Sequence, residues 1–250
     1  MANVTTPQKM LRILDLIEDS PIPVTTEVML EQLGFTRSTL YRHLKSLSEA
    51  GLISSIPDTG FTFGPRITEL DYKMRLRDPL ISAARPVMAE LAKSEHGVAL
   101  LCRRYRDRVL CIHQEAGDIS FRSNYERGLA RNLFRGAASR IILAYLSPAT
   151  INRLYAKFPG EFAAAALGHS AAAARQTLRQ IRQQGWEVTE AQVTQGVTGI
   201  AAPLFDMRGD ILGSLSLTIK AQDLTPTNRN HLIERVRFCS AIIRTAIRQD

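Results

Sequence analysis

Cysteine is scarce in this chain, at three in 250 residues. Cys102, Cys111 and Cys239 are too few for a disulfide scaffold and form no Cys-x-x-Cys step of the kind structural zinc sites use. A reducing, cytoplasmic setting is the expectation. Long apolar runs are missing as well. No stretch reaches the roughly 18 residues a membrane span needs, and Lys9, Arg12 and Asp15 interrupt the first hydrophobic segment where a secretion signal would need continuity. Catalytic constellations are lacking too. The histidines at 43, 96, 113, 169 and 231 show no metal-ligand spacing, and no Gly-x-Ser-x-Gly elbow places Ser139 beside His113 and Asp118. Neither an enzyme nor a metal or cofactor is expected.

What is present is a globular composition. Hydrophobic residues make up 45%, enough to bury a core. Lys and Arg number 32 against 24 Asp and Glu, a formal charge of +8. A basic balance points to nucleic acid, anionic lipid or acidic small molecules without choosing among them. The length suits one large domain or two smaller ones.

Thr6-Pro7 opens a first helix, in which Met10, Leu11, Ile13, Leu14 and Ile17 recur at helical spacing. A short second helix is predicted from about Thr26 to Gln32. Gly34 suits a left-handed turn after it, and Thr36 is a fitting N-cap for a third helix reaching about Ala50. Two short strands, at 52–56 and 61–64, flank the turn Pro57-Asp58-Thr59-Gly60. Residues 1–65 thus make a small domain, and a charged helix over 66–78 reads as a linker. From 79 to 250 the periods mix. Helices are expected at 79–95, 136–146, 150–158, 171–184 and 228–248, with strands at 98–102, 108–113, 119–123, 200–205 and 211–219. The fold class is therefore two-domain: a winged helix-turn-helix, mostly α with a β hairpin, then an α+β domain.

The third helix carries the sharpest functional signal. Leu40, Leu44 and Leu47 form its apolar stripe, leaving Arg37, Ser38, Tyr41, Arg42 and Lys45 largely on the outer side. Arg37, Ser38 and Thr39 occupy the turn of a recognition helix that reaches base edges. Arginine bonds guanine O6 and N7, Ser and Thr bond bases or phosphate, and Tyr and Lys bond the backbone. Thr36 with the free N–H groups of the first turn suits one phosphate. Thr59 and Thr62 in the hairpin would approach sugar-phosphate. His43 reads as a helix-surface residue. A winged module that docks protein, its cations merely solvated, fits the same pattern. In the second domain, Gly136-Ala137-Ala138-Ser139 fits either close ligand approach or tight packing of a helix on a sheet.

The run Leu33-Gly34-Phe35-Thr36-Arg37-Ser38-Thr39-Leu40-Tyr41-Arg42, with Gly51-Leu52-Ile53 and Phe61-Thr62-Phe63-Gly64, resembles the winged helix of the IclR family of bacterial transcription regulators. Gly196, Ile200-Ala201-Ala202-Pro203, Asp206, Gly209 and Leu215-Ser216-Leu217 resemble that family's effector-domain signature, so the likeness spans nearly the whole chain. It implies a ligand-responsive regulator of a catabolic operon. Its partners would be a palindromic double-stranded DNA operator and a small organic acid, and it would act as a homodimer or dimer of dimers without membrane contact. The second domain would be a GAF-like module for effector binding and oligomerisation. Matched residue by residue, Gly136 and Ala137 would floor the effector pocket, and Thr189, Gly199, Ser216 and Thr218 would close it. The family's usual Pro-Leu-His stands here as Asn132-Leu133-Phe134, and its Gly-Lys step as Ser139-Arg140. Phe134 would favour a ring-bearing ligand, and Arg127, Arg131 and Arg135 an acid.

The charge is unevenly placed. Residues 1–78 hold 9 Lys and Arg against 10 Asp and Glu, whereas residues 79–250 hold 23 against 14. The excess therefore belongs to the second domain. Evidence for DNA reading rests on local placement instead: Arg37, Arg42 and Lys45 lie in a stretch of ten residues without an acid.

Overall fold

The computed structural model describes residues 5–117 and 127–247. It divides into two compact units, Met1–Arg77 and Asp78–Asp250. The first contains α1 (Thr6–Asp19), α2 (Thr26–Leu33), α3 (Arg37–Glu49), the strands β1 (Ile53–Ile56) and β2 (Gly60–Phe63), and α4 (Pro65–Arg77). Threonines start the first three helices. Thr5 forms a capping box with Gln8, Thr25 accepts from the Val28 N–H, and Thr36 accepts from the Thr39 N–H at 3.3 Å. Each such cap stabilises its helix by about 1 kcal/mol. Gly34 ends α2 at φ 66°, the left-handed conformation expected of it, and donates to the Leu30 carbonyl.

Ile13, Ile17, Met29, Leu40, Leu44, Leu47 and Ile53 meet in the core of this unit. His43 joins them with 2% exposure, so it is no surface residue. The reason is spacing: position 43 lies three after Leu40 and four before Leu47, on the buried face. Its ring meets Phe35 edge-on, with centroids 6.2 Å apart. The wing is fastened to the segment before α2. Val24 and Phe61 exchange two backbone hydrogen bonds of 2.9 Å. Gly60, at φ +133°, leaves room for this: a Cβ there would come within 2.6 Å of the Val24 oxygen. Helix α4 buries none of its own residues, and Ile67, Leu70, Tyr72, Met74 and Leu76 are exposed along it.

The second unit is built on a six-stranded antiparallel sheet of order β5-β4-β3-β8-β7-β6. Its strands are β3 (Val98–Tyr105), β4 (Arg108–Ala116), β5 (Ala130–Asn132), β6 (Glu187–Glu190), β7 (Val197–Phe205) and β8 (Ile211–Lys220). Strict alternation sends Ala99 and Leu101 toward α5 (Pro79–Ser94) and α10 (Arg229–Ile247), and Val98, Leu100 and Cys102 toward the opposite layer. That layer consists of α6 (Ala137–Ala144), α7 (Pro148–Lys157), α8 (Pro159–Ala164) and α9 (Ala171–Gln184). Ser170 caps α9 and Gly185 ends it, as the sequence suggests. The edge strands β5 and β6 and the short α8 are additions to the predicted elements. The strand expected at 119–123, Asp118 and the last residues of the final helix lie outside the described residues.

Candidate functional site

Helix α3 presents the basic face that its pattern predicts. Thr36, Arg37, Ser38, Tyr41, Arg42 and Lys45 are exposed, Thr39 is half-buried, and Leu40, Leu44 and Leu47 point inward. Among the described residues, Arg37 and Arg42 take part in no ion pair. Lys45 approaches Glu49 only to 3.8 Å, with both side chains open to solvent, a pairing of little energetic weight. The Thr36 hydroxyl is already engaged, accepting from the Thr39 N–H and lying 2.9 Å from the Thr39 hydroxyl. It fixes the helix start and also lies 3.3 Å from the Ser38 hydroxyl, which leaves Arg37 as the projecting side chain of this turn. On the wing, Thr59 is exposed and donates to the Pro57 carbonyl, whereas Thr62 is half-buried on β2 opposite Ser54.

In the second unit, six of the predicted effector residues line one cleft. Gly136 and Ala137 open α6, Thr189 comes from β6, Gly199 from β7, and Ser216 and Thr218 from β8. The sequence Ser214-Leu215-Ser216-Leu217-Thr218 explains the hydroxyl-bearing wall. Its leucines fill the core on the α5 and α10 side, and its hydroxyls share the other face. Ser214 donates to the Ala138 carbonyl at 3.0 Å and so ties the first turn of α6 to the sheet. The N–H groups at that helix start already have neutral acceptors: Gly136 donates to Gln192 Oε1 at 3.0 Å and Ala137 to Thr189 Oγ1 at 2.9 Å. Ser216 Oγ, buried in the wall, has no hydrogen-bond partner among the described residues.

Leu100, Ala138, Val197 and the loop residues Gln192, Val193 and Thr194 complete the lining. The loop residues carry no signal in the sequence. The cleft is narrow, about 30 Å³, room for about one water molecule. Among the described residues no charged side chain lines it. Phe134 is a correction. Its ring is buried at 4.9 Å from Phe162 and 5.6 Å from Phe158, as part of the core beneath α8. Asn132 turns the chain there, its side-chain oxygen accepting from the Phe134 and Arg135 N–H groups, which sends the aromatic inward. Arg140, next to the cleft in sequence, pairs with Glu187 at 2.6 Å. Burial raises the Glu187 carboxyl above its ordinary range, and Arg140 offsets only part of that rise.

Residues 75–245 match the family model of the bacterial transcriptional regulator IclR C-terminal domain, and residues 10–56 match a helix-turn-helix model. The chain is 27% identical to the HTH-type transcriptional regulator BhcR of Paracoccus denitrificans over 209 residues, covering 83% of this chain and 75% of that protein. It is 23% identical over 219 residues to a probable HTH-type transcriptional regulator, ArcR, of Halobacterium salinarum, covering 86% and 82%. Among solved structures, an IclR homologue from Microbacterium hydrocarbonoxydans in complex with 4-hydroxybenzoate superposes with a TM-score of 0.77. It shares 18% identity, with 98% of this chain and 100% of that one covered. An IclR regulator from a Silicibacter species gives 0.79 at 19% identity, covering 97% and 96%. The relatives are named as regulators rather than enzymes.

Proposed function

The chain belongs to the IclR family of bacterial DNA-binding transcriptional regulators, and from that premise we propose that it controls a catabolic operon in response to a small organic acid held at the start of α6. Residues 1–65 read the operator, 66–78 link, and 79–250 sense and oligomerise. Arg37, Ser38 and Thr39 face base edges in the major groove, and Tyr41, Arg42, Lys45, Thr59 and Thr62 hold phosphates on either side. Two copies read the half-sites of a palindrome, paired through α1 and the exposed apolar side of α4.

The observation that carries the effector reading is the chemistry of the cleft. Helix N–H groups and the unpartnered Ser216 hydroxyl converge there, and Gln192 Oε1 and Thr189 Oγ1 occupy positions suited to an acid's oxygens. A carboxylate would take over those N–H bonds and push Gln192–Thr194 outward, making room that the closed cleft lacks. Helix dipole and hydroxyls, rather than arginines, would neutralise it. The 4-hydroxybenzoate in the Microbacterium homologue favours an aromatic acid as the occupant.

Enrichment from random duplex DNA, followed by footprinting, tests the DNA reading. A protected palindrome is the expected result, with specific affinity lost in Arg37→Ala and Arg42→Ala and kept in Arg179→Ala. Equal losses in all three variants would remove the assignment of α3. Calorimetry against benzoate-type and aliphatic acids tests the cleft, where binding must depend on Ser216 and Thr189.

A further inference from the structure

A second cavity, about 560 Å³ in volume, lies at the other end of α6 and has no part in the cleft. It opens against Ala202–Phe205, the stretch of β7 beyond the last β6 pairing, Glu187 with Ala201. Here the C-terminal ends of α6 and α9 meet α10 across the rim of the sheet. Tyr145 and Phe205 form one wall, edge to face at 4.9 Å. Arg237 and Arg244 of α10 form another. The Arg244 guanidinium sits 5.5 Å from the centre of the Phe205 ring, and that of Arg182 sits 5.2 Å from the centre of Tyr145.

Of these three arginines, Arg237 alone has an ion-pair partner among the described residues, Glu234 at 2.6 Å, and the Arg244 Nε is buried without a hydrogen bond. The neighbouring carbonyls are spent, Pro203 on the Ser240 hydroxyl and Arg182 on the Tyr145 hydroxyl. A buried donor without an acceptor is costly, and an anionic guest would supply the acceptor that the Arg244 Nε lacks.

We propose that this cavity is a second ligand site, taking a small multivalent organic anion, a polycarboxylate or a phosphate ester. Arg237 and Arg244 grip its charges, and the Tyr145 and Phe205 rings cover its body. Both sites touch the same two elements. Helix α6 begins in the cleft and ends at Tyr145, about 12 Å away at 1.5 Å per residue. Strand β7 contributes Gly199 to the cleft and Phe205 to the cavity.

Titration calorimetry with citrate and with inorganic pyrophosphate, at matched ionic strength, tests this on the full chain. Saturable binding of at least one is expected, and which one binds distinguishes carboxylate from phosphate chemistry. Arg237→Gln and Arg244→Gln should each weaken it about tenfold or more, as loss of a charge-assisted contact does. Arg179→Gln, exposed on α9 and outside the cavity, should leave it unchanged. Gly199→Ala, which narrows the cleft alone, should also leave it unchanged. If neither anion saturates, if all three arginine variants lose equally, or if Gly199→Ala abolishes binding, the second site does not exist. Should Arg244→Gln fail to fold, the exposed Arg237 decides. None of these readouts depends on DNA, so failure here is separate from failure of the operator or effector reading.

Discussion

At the scale of single residues, Gly199 and His43 show how small features set behaviour. A Cβ on Gly199 would lie 3.6 Å from Ala137 Cβ and 3.8 Å from Thr189 Oγ1, ordinary contact distances. Gly199→Ala should therefore fold normally yet narrow the cleft. We expect operator affinity to be unchanged and effector affinity to drop by about tenfold, as calorimetry on the folded variant would show. His43 is a different case. Burial, then the charges of Arg42 and Lys9, hold its imidazole below the ordinary value, so the folded unit favours the neutral ring. Stability from that preference is intact above the unfolded ring's pKa of about 6.5 and is lost as the pH falls below it. His43→Leu also removes a buried Nε2 that has no partner among the described residues. It should stabilise the reading head by about 1 kcal/mol, and by more at pH 5 than at pH 8 in thermal melts. Equal gains at both would contradict the sign.

Among elements, the wing and α4 make the clearest demands. Gly60→Ala must strain a backbone at φ +133° and displace Val24, so the Val24–Phe61 bridge should break. A cost of about 1–3 kcal/mol is expected, with weaker operator binding but unchanged effector binding. A chemical-denaturation midpoint equal to the parent's would refute it. Along α4, Ile67, Leu70 and Met74 repeat at three and four residues without cover from their own unit. Leu70→Glu combined with Met74→Glu should shift sedimentation toward monomer at micromolar concentration and lower operator affinity in step. Most elements were legible because their periods are clean. Leu40, Leu44 and Leu47 outline α3, and the alternation in residues 211–219 outlines β8. The short edge strands β5 and β6 were not, since three or four residues carry too little pattern to stand out.

For the molecule as a whole, legibility stops where distant segments meet. The sequence brings Gly136, Thr189, Gly199, Ser216 and Thr218 to one cleft only with the family likeness in hand. The loop that shuts it, Gln192–Thr194, lies 56 residues from its hydrogen-bond partner Gly136 and repeats nothing. Phe134 misled because an aromatic beside a glycine-rich turn suits a pocket and a core equally well. The basic excess of residues 79–250 has a partial explanation in structure. Arg103, Arg140 and Arg235 meet Asp78, Glu187 and Glu95, while Arg237 and Arg244 line the second cavity. Raising salt should accordingly weaken citrate or pyrophosphate binding more steeply than binding in the uncharged cleft, a contrast that calorimetry at two ionic strengths would reveal.

The closed state of the cleft also has a kinetic meaning. A recess of about 30 Å³ is too small for an aromatic acid, so on the proposed reading Gln192 must first release the Gly136 N–H. If opening precedes capture, the observed association rate should climb with ligand concentration and then level off at the rate of loop release. Once ligand is abundant, loop release and not diffusional encounter would then set the ceiling on how fast the regulator answers its effector, and one glutamine side chain would set that ceiling.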